Sequence, residues 1–285
     1  MVAGIKQSYP PRVRIVLISQ IPRAVHGLDE LLRALGHEPV ALLAAQMPFV
    51  PARAAEFAEL VTGRPPHLDL LVPSSRARMA PLLVSADPDL TICLAFPWKI
   101  PADALAVPRH GALNVHPSLL PRYRGPIPVA WTLREGDAEL GTTIHYMDAE
   151  LDTGPILAQG TAPLGESETV DTLIGKMAGL VAELLPRALA RAAAGDPGDP
   201  QGEDGASYAG HFEEEYLRVD WTRPAREVHN QVLAWRFAAG RGRGPLAELN
   251  GETVVVTQTR LDPDEGAVRI ECGDGPIWVV ATEPV

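Results

Sequence analysis

With 285 residues, 46% of them hydrophobic and 21% charged, the chain has room for one large and one small domain and the composition of an ordinary globule, which excludes a disordered or fibrous protein. Its 36 acidic against 25 basic residues leave a net charge of −11, an argument against a broad phosphate-binding surface. Cys93 and Cys272 lie far apart inside strand-like runs, so no disulfide framework or metal knuckle is expected. No apolar run reaches membrane-span length and the opening MVAGIKQSYPPRVR has no signal core, so the expected location is cytoplasmic with no membrane partner.

In chain order, VRIVLIS (13–19) reads as a buried strand. GLDELLRALG (27–36) reads as a helix with Leu28, Leu31, Leu32 and Leu35 in one stripe and a glycine closing it. PVALLA (39–44) is a second strand, ARAAEFAELV (52–61) a second helix and DLTICLAF (89–96) a further strand. This βαβα order predicts a doubly wound, Rossmann-like α/β fold with a mostly parallel sheet, its site at the carboxyl ends of the strands. PVAWTLREG (128–136) has a helical pattern, while GTTIHYMD (141–148) and PILAQGTAP (155–163) read as antiparallel edge strands. A long helix follows from about Thr169 to Ala194, with Pro186 expected to kink it. The Pro/Gly/Asp cluster that comes next reads as a linker over 196–205, separating a catalytic domain at 1–195 from a C-terminal domain at 206–285. In the latter a helix in VDWTRPAREVHNQVLAW precedes the strand-like runs GETVVVTQT, AVRIEC and PIWVVA, which predict a small OB-like β-barrel.

One stretch does not read as scaffold. In LNVHPSLLPRYRGP (113–126), Asn114 and His116 share a strand parity, so both side chains leave on one side. Pro117 then stops the strand. Downstream, Asp152 precedes Thr153-Gly154-Pro155, a turn able to aim a carboxylate back at the imidazole. Amide, imidazole and carboxylate together suit acyl transfer without a protein nucleophile: Asn and His donate to an oxyanion, Asp orients His and handles the proton of an attacking amine. Singly, an N-x-H pair is also a structural motif and an Asp before Thr-Gly-Pro also a turn former, so the combination carries the reading.

That combination, LNVHPSLLPRYRGP followed by GTTIHYMDAELDTGPILAQ, with 36 residues from His116 to Asp152, resembles the 10-formyltetrahydrofolate-dependent formyltransferases. These include the enzymes acting on methionyl-tRNA, on glycinamide ribonucleotide and on amino sugars. VDWTRPAREVHNQVLA is similar to the segment opening the C-terminal domain of the longer members. The resemblance implies that Asn114, His116 and Asp152 are catalytic and that 10-formyltetrahydrofolate is the co-substrate. It also implies a pterin between the 96–101 and 148–152 loops, with Phe96, Trp98, Lys99, Ile100, Asp148 and Glu150 as the candidate lining. Phe96-Pro97 stands where members more often carry Tyr-Gly or Gly-Phe.

Arg122, Tyr123 and Arg124 are weaker candidates for contacting the acceptor, Ser118 and His145 read as structural, and the remaining histidines show no metal-ligand spacing, so no metal is expected. The acceptor itself is expected to be a small-molecule amine with no nucleic-acid partner, because residues 206–285 hold 8 Arg and no Lys against 13 Asp plus Glu. Arg122, Arg124, Arg241 and Arg243 gathering into one patch would favour the alternative, methionyl-tRNA. A hydrolase passing the formyl group to water and a non-catalytic folate-binding module are further alternatives, the intact trio arguing against the last. No oligomeric state is specified.

Overall fold

The computed structural model describes residues 12–46, 51–165, 167–239 and 244–285. Strand β1 (Arg14–Ser19) is apolar throughout its middle and buried from Ile15 on, as a strand covered on both faces must be. Helix α1 (Pro22–Ala34) starts five residues before the helical periodicity suggests. Pro22 supplies the reason: a proline in the first turn has no N–H to waste and a φ already suited to a helix. The expected glycine stop is present, for Gly36 adopts φ +83° just past the C-cap, a conformation that a Cβ would oppose. After β2 (Glu38–Leu43) and α2 (Pro51–Gly63) come β3 (Asp69–Leu71) and α3 (Met79–Ala86), neither of which the sequence pattern announced. Strand β4 (Leu90–Leu94), the one-turn α4 (Ala102–Leu105) and β5 (Ala112–His116) lead to α5 (Pro128–Arg134), β6 (Glu139–Tyr146) and β7 (Ile156–Pro163).

The seven strands form one sheet in the order β3-β2-β1-β4-β5-β6-β7. All pairings from β3 to β5 are parallel and β5 meets β6 antiparallel, so the expected doubly wound sheet with an antiparallel flank is what the chain builds. The order turns at β1 and β4: from β1 the chain first builds outward through β2 to β3, then crosses to β4 on the other side. Clefts open at the carboxyl ends of strands beside such a reversal. Helix α6 (Val170–Ala193) runs on through Pro186, and the later part holds α7 (Ala225–Ala239) and four further strands: β8 (Leu246–Leu249), β9 (Glu252–Arg260), β10 (Val268–Glu271) and β11 (Pro276–Pro284). These pair antiparallel in the order β10-β11-β9-β8, the β-rich C-terminal part expected.

The chain divides into two compact units. One runs to His116 and adds Thr143–Gln159 and Val181–Gln201; the other comprises Pro117–Thr142, Gly160–Leu180 and the chain from Gly202 onward. The first packs Val16 and Ile18 of β1, Leu43 of β2 and Met79 and Leu83 of α3 into a core that includes Ile100. Each such aliphatic side chain contributes about 1.5–3 kcal/mol by leaving water. In the second unit, Ala130 and Leu133 of α5 meet Leu233 and Ala234 of α7. An aromatic group of Phe212, Tyr216 and Trp235 adjoins them, and Arg134 lies 4.3 Å from the Tyr216 ring centre. Among the described residues no helix is long and apolar enough to cross a membrane.

Candidate active site

Strand β5 carries Asn114 and His116 to the carboxyl edge of the sheet, where β4 and β6 flank them: Asn114 stands opposite Cys93 on β4 and His145 on β6, and His116 opposite Thr143. The loop between β6 and β7 brings in Asp152. Its Oδ1 accepts a hydrogen bond from Asn114 Nδ2 at 3.1 Å and lies 3.6 Å from His116 Nδ1. The three residues that the sequence reading singled out are therefore brought together, Asn114 and His116 both meeting one carboxylate oxygen of Asp152. His116 is 4% exposed and the Asp152 side chain 12%, so their mutual electrostatics act with little solvent between them.

His145, read from sequence as structural, joins this group. Its Nδ1 lies 2.7 Å from the Tyr146 carbonyl, which can only accept, so the proton sits on Nδ1. In the neutral ring Nε2 is then an acceptor, and Asn114 Nδ2 donates to it at 3.3 Å. The same Nε2 lies 3.7 Å from Asp152 Oδ1. Thus the Asn114 amide has its NH2 end turned toward both Asp152 and His145. Cys93, buried on β4, registers the same local charge: burial foremost, and then the Asp152 carboxylate, push its thiol up to about 12. It stays protonated and is no nucleophile at neutral pH.

The Asp152 loop is built tightly. Asp152 has a left-handed backbone, φ +58°, and a Cβ on Gly154 would fall 1.9 Å from the Tyr146 carbonyl oxygen, so glycine is required there. Asp148 Oδ1 accepts from the Glu150 N–H at 3.0 Å and from the Thr153 hydroxyl at 2.8 Å, which makes Asp148 an internal brace of the loop. Glu150 meets Lys99 at 3.7 Å, linking the 96–101 and 148–152 segments by an ion pair exposed on both sides and worth at most ~1 kcal/mol. Phe96 and Trp98 pack edge to face with centroids 6.0 Å apart, both against the core of the first unit. Ile100 is buried within that core. The Phe96 and Trp98 rings and the polar groups of the 148–152 loop are of the kind a pterin would meet, whereas Ile100, expected in the same lining, is taken up by the core.

The remaining candidates belong to the second unit. Arg122 Nη2 donates to the Tyr123 hydroxyl at 2.7 Å and to Asp137 at 3.1 Å, and the Tyr123 hydroxyl donates to Asp137 at 2.9 Å. Burial, with the Asp137 carboxylate beside it, raises the Tyr123 phenol far above neutrality, so it remains a donor. Arg124 pairs with Glu203 at 3.3 Å. Ser118 tightens the loop, its hydroxyl donating to the Arg122 carbonyl at 2.7 Å. Both arginines are thus held by carboxylates of the protein itself. Arg241 and Arg243 lie outside the described residues.

Two residues near Asp152 were not placed in the site by the sequence reading. His145 was read as a structural residue on a strand beside the site, and only the register of β6 against β5 sets it opposite Asn114. Gln201 lay in a stretch read as linker, yet its Nε2 donates to the carbonyls of Asp152 at 2.9 Å and Gly154 at 2.8 Å.

Residues 41–189, more than half of the chain, match the model of a family described as formyl transferase. Over 204 residues the chain is 37% identical to a methionyl-tRNA formyltransferase of Ruegeria pomeroyi, covering 67% of this chain and 65% of that one. Over 205 residues it is 40% identical to a methionyl-tRNA formyltransferase of Pelobacter propionicus, covering 67% and 63%. The chain therefore matches somewhat less than two thirds of the length of these curated relatives. Among solved structures, HypX from Aquifex aeolicus in complex with tetrahydrofolic acid shares the fold with a TM-score of 0.70 at 20% identity, over 95% of this chain and 44% of that one.

These relatives overturn the expectation of a small-molecule amine and no nucleic-acid partner, since the similar enzymes are named for a tRNA substrate. A net charge counted over 206–285 sums every surface of that segment and carries no information on where its arginines stand, whereas phosphate contacts are local.

Proposed function

The chain belongs to the formyl transferase family, and from that premise we propose that it transfers a formyl group from 10-formyltetrahydrofolate to the amino group of methionyl-tRNA. The observation that carries the chemistry is the convergence of Asn114 and His116 on Asp152 Oδ1, at 3.1 and 3.6 Å. The acceptor rests on the names of the relatives at 37% and 40% identity.

The co-substrate supplies an activated formyl carbon. The acceptor nitrogen bonds to that carbon, the bond from the carbon to N10 breaks, and one proton passes from the acceptor nitrogen to N10. Asn114 donates from its amide to the formyl oxygen as negative charge builds on it; the bond to His145, the longer of its two at 3.3 Å, is the one released. His116 is the second donor, and Asp152 holds its imidazole and takes part in moving the proton. Phe96 and Trp98 wall the folate, and the 148–152 loop presents polar groups to the pterin edge.

The test is incubation of the purified protein with 10-formyltetrahydrofolate and methionyl-tRNA, following tetrahydrofolate release and formyl-methionyl-tRNA together. Equal yields of both, with a rate that falls as salt rises, support the reading. Tetrahydrofolate release without formylated tRNA would refute the acceptor, and no release with any amine would refute the activity.

A further inference from the structure

Asp152 reaches its partners from a loop whose backbone does not favour the shape it has. A left-handed φ of +58° costs a non-glycine residue roughly 1 kcal/mol. Asp148 braces the loop from within, and a group from outside it holds it as well. Gln201 does so with one group: its Nε2 has two hydrogens, and the carbonyls of Asp152 and Gly154 accept from it at 2.9 and 2.8 Å. The Asp152 carbonyl and the Asp152 side chain share one Cα, so fixing the first constrains ψ there and with it the frame from which the carboxylate extends.

Gln201 is itself anchored. Asp199 and Ile156 exchange a pair of backbone hydrogen bonds, both 2.8 Å. Gly198, at φ +79°, approaches Pro155 so closely that a Cβ on it would stand 2.9 Å from the proline ring. From α6, Arg191 Nε reaches Asp196 at 2.7 Å, while its Nη1 reaches Asp199 at 2.8 Å and the Leu157 carbonyl at 2.9 Å. The Tyr146 hydroxyl donates to the Asp196 carbonyl at 3.0 Å. The segment 196–201 is thereby tied to β6, β7 and α6 before the Gln201 side chain turns to the loop. These bonds span up to 50 residues of sequence and none belongs to the regular sheet ladder.

We propose that Gln201 is a positioning residue that sets Asp152 for its part in formyl transfer, with 196–201 acting as a brace rather than a plain linker. The inference rests on the reading of Asp152 as part of the reacting group. Its test pairs Gln201→Ala and Gln201→Met, the latter keeping side-chain volume without any N–H, with Asp152→Asn in the full chain. Measured are kcat, the KM values for 10-formyltetrahydrofolate and methionyl-tRNA, and amide hydrogen exchange over 152–156.

Both Gln201 variants are expected to lower kcat by ~10- to ~100-fold, because a carboxylate displaced by about 1 Å loses that much. The KM for methionyl-tRNA should stay within about twofold, and exchange over 152–156 should quicken. On top of Asp152→Asn, the same variants should cost nothing further, since the group they position is already disabled. An unchanged kcat in Gln201→Met, or an equal proportional loss with and without Asp152→Asn, overturns the proposal. A fully active Asp152→Asn removes the catalytic reading of Asp152, and the positioning role with it; hydrogen exchange then still reports whether the brace holds the loop.

Discussion

Asn114→Ala deletes two contacts at once: the 3.1 Å donation to Asp152 Oδ1 and the 3.3 Å donation to His145 Nε2. The two losses differ in kind. Losing a hydrogen bond to a charged group costs about 1.5–3 kcal/mol of stability, while losing one donor to a developing oxyanion costs about 10²–10³ in kcat. The magnitudes separate the effects. A chain with ~5–15 kcal/mol of stability that loses about 2 kcal/mol stays almost wholly folded, whereas a 10²-fold rate loss through unfolding needs about 99% of the molecules unfolded. The variant should therefore melt a few degrees lower, keep its circular dichroism at the assay temperature, and turn over ~10²-fold or more slowly in single-turnover formylation of methionyl-tRNA. Asn114→Asp keeps the shape, removes the donors and sets a second carboxylate beside Asp152, so it should lose at least as much. A rate within about threefold of the parent in a folded Asn114→Ala protein would refute the oxyanion role. A rate loss that merely tracked the folded fraction would refute it equally.

His116→Ala and Asp152→Ala should each reduce formyl transfer by ~10² or more, and their double variants should be little worse than the worse single one, because the three side chains act as one unit; near-normal turnover in the triple variant would end the assignment. Trp98→Ala should weaken binding of 10-formyltetrahydrofolate in calorimetry more than binding of methionyl-tRNA, and equal losses would make Trp98 scaffold only. His229, 3% exposed and lowered by burial from 6.5 to about 4, is neutral in the folded chain while the unfolded chain binds a proton below 6.5. Its depressed pKa contributes stability present above pH 6.5 and lost as pH falls toward 4, roughly 3 kcal/mol in all, so melting curves over that window should flatten in a folded His229→Gln protein; an unaltered pH dependence would contradict this.

Local rules made much of the molecule legible. Apolar runs placed β1, β2 and β4 because strands covered on both faces admit little but aliphatics. The two-residue period put Asn114 and His116 on one side of β5, and Pro117 marked where the strand must end. β3, with three residues, and α3, with eight, were too short for any period to show. Asp152 was a candidate from its Thr-Gly-Pro turn, but its catalytic role came from the family pattern, since nothing local tells a catalytic aspartate in a turn from a structural one.

What only the tertiary structure decided concerns pairs distant in sequence. His145 meets Asn114 through the β5–β6 register, and a slip of one residue would send it to the other face. Gln201 stood in a stretch whose Gly and Pro content signals a turn, and composition says nothing of acceptors 47 and 49 residues earlier. Arg122 and Arg124 read equally as cations for the acceptor or as partners of some carboxylate, and only the fold supplied Asp137 and Glu203. Hydrophobic periodicity is written along the chain because burial acts on each residue separately. Hydrogen bonds and ion pairs need two groups at about 3 Å in fixed directions, and chain closure alone brings such groups together.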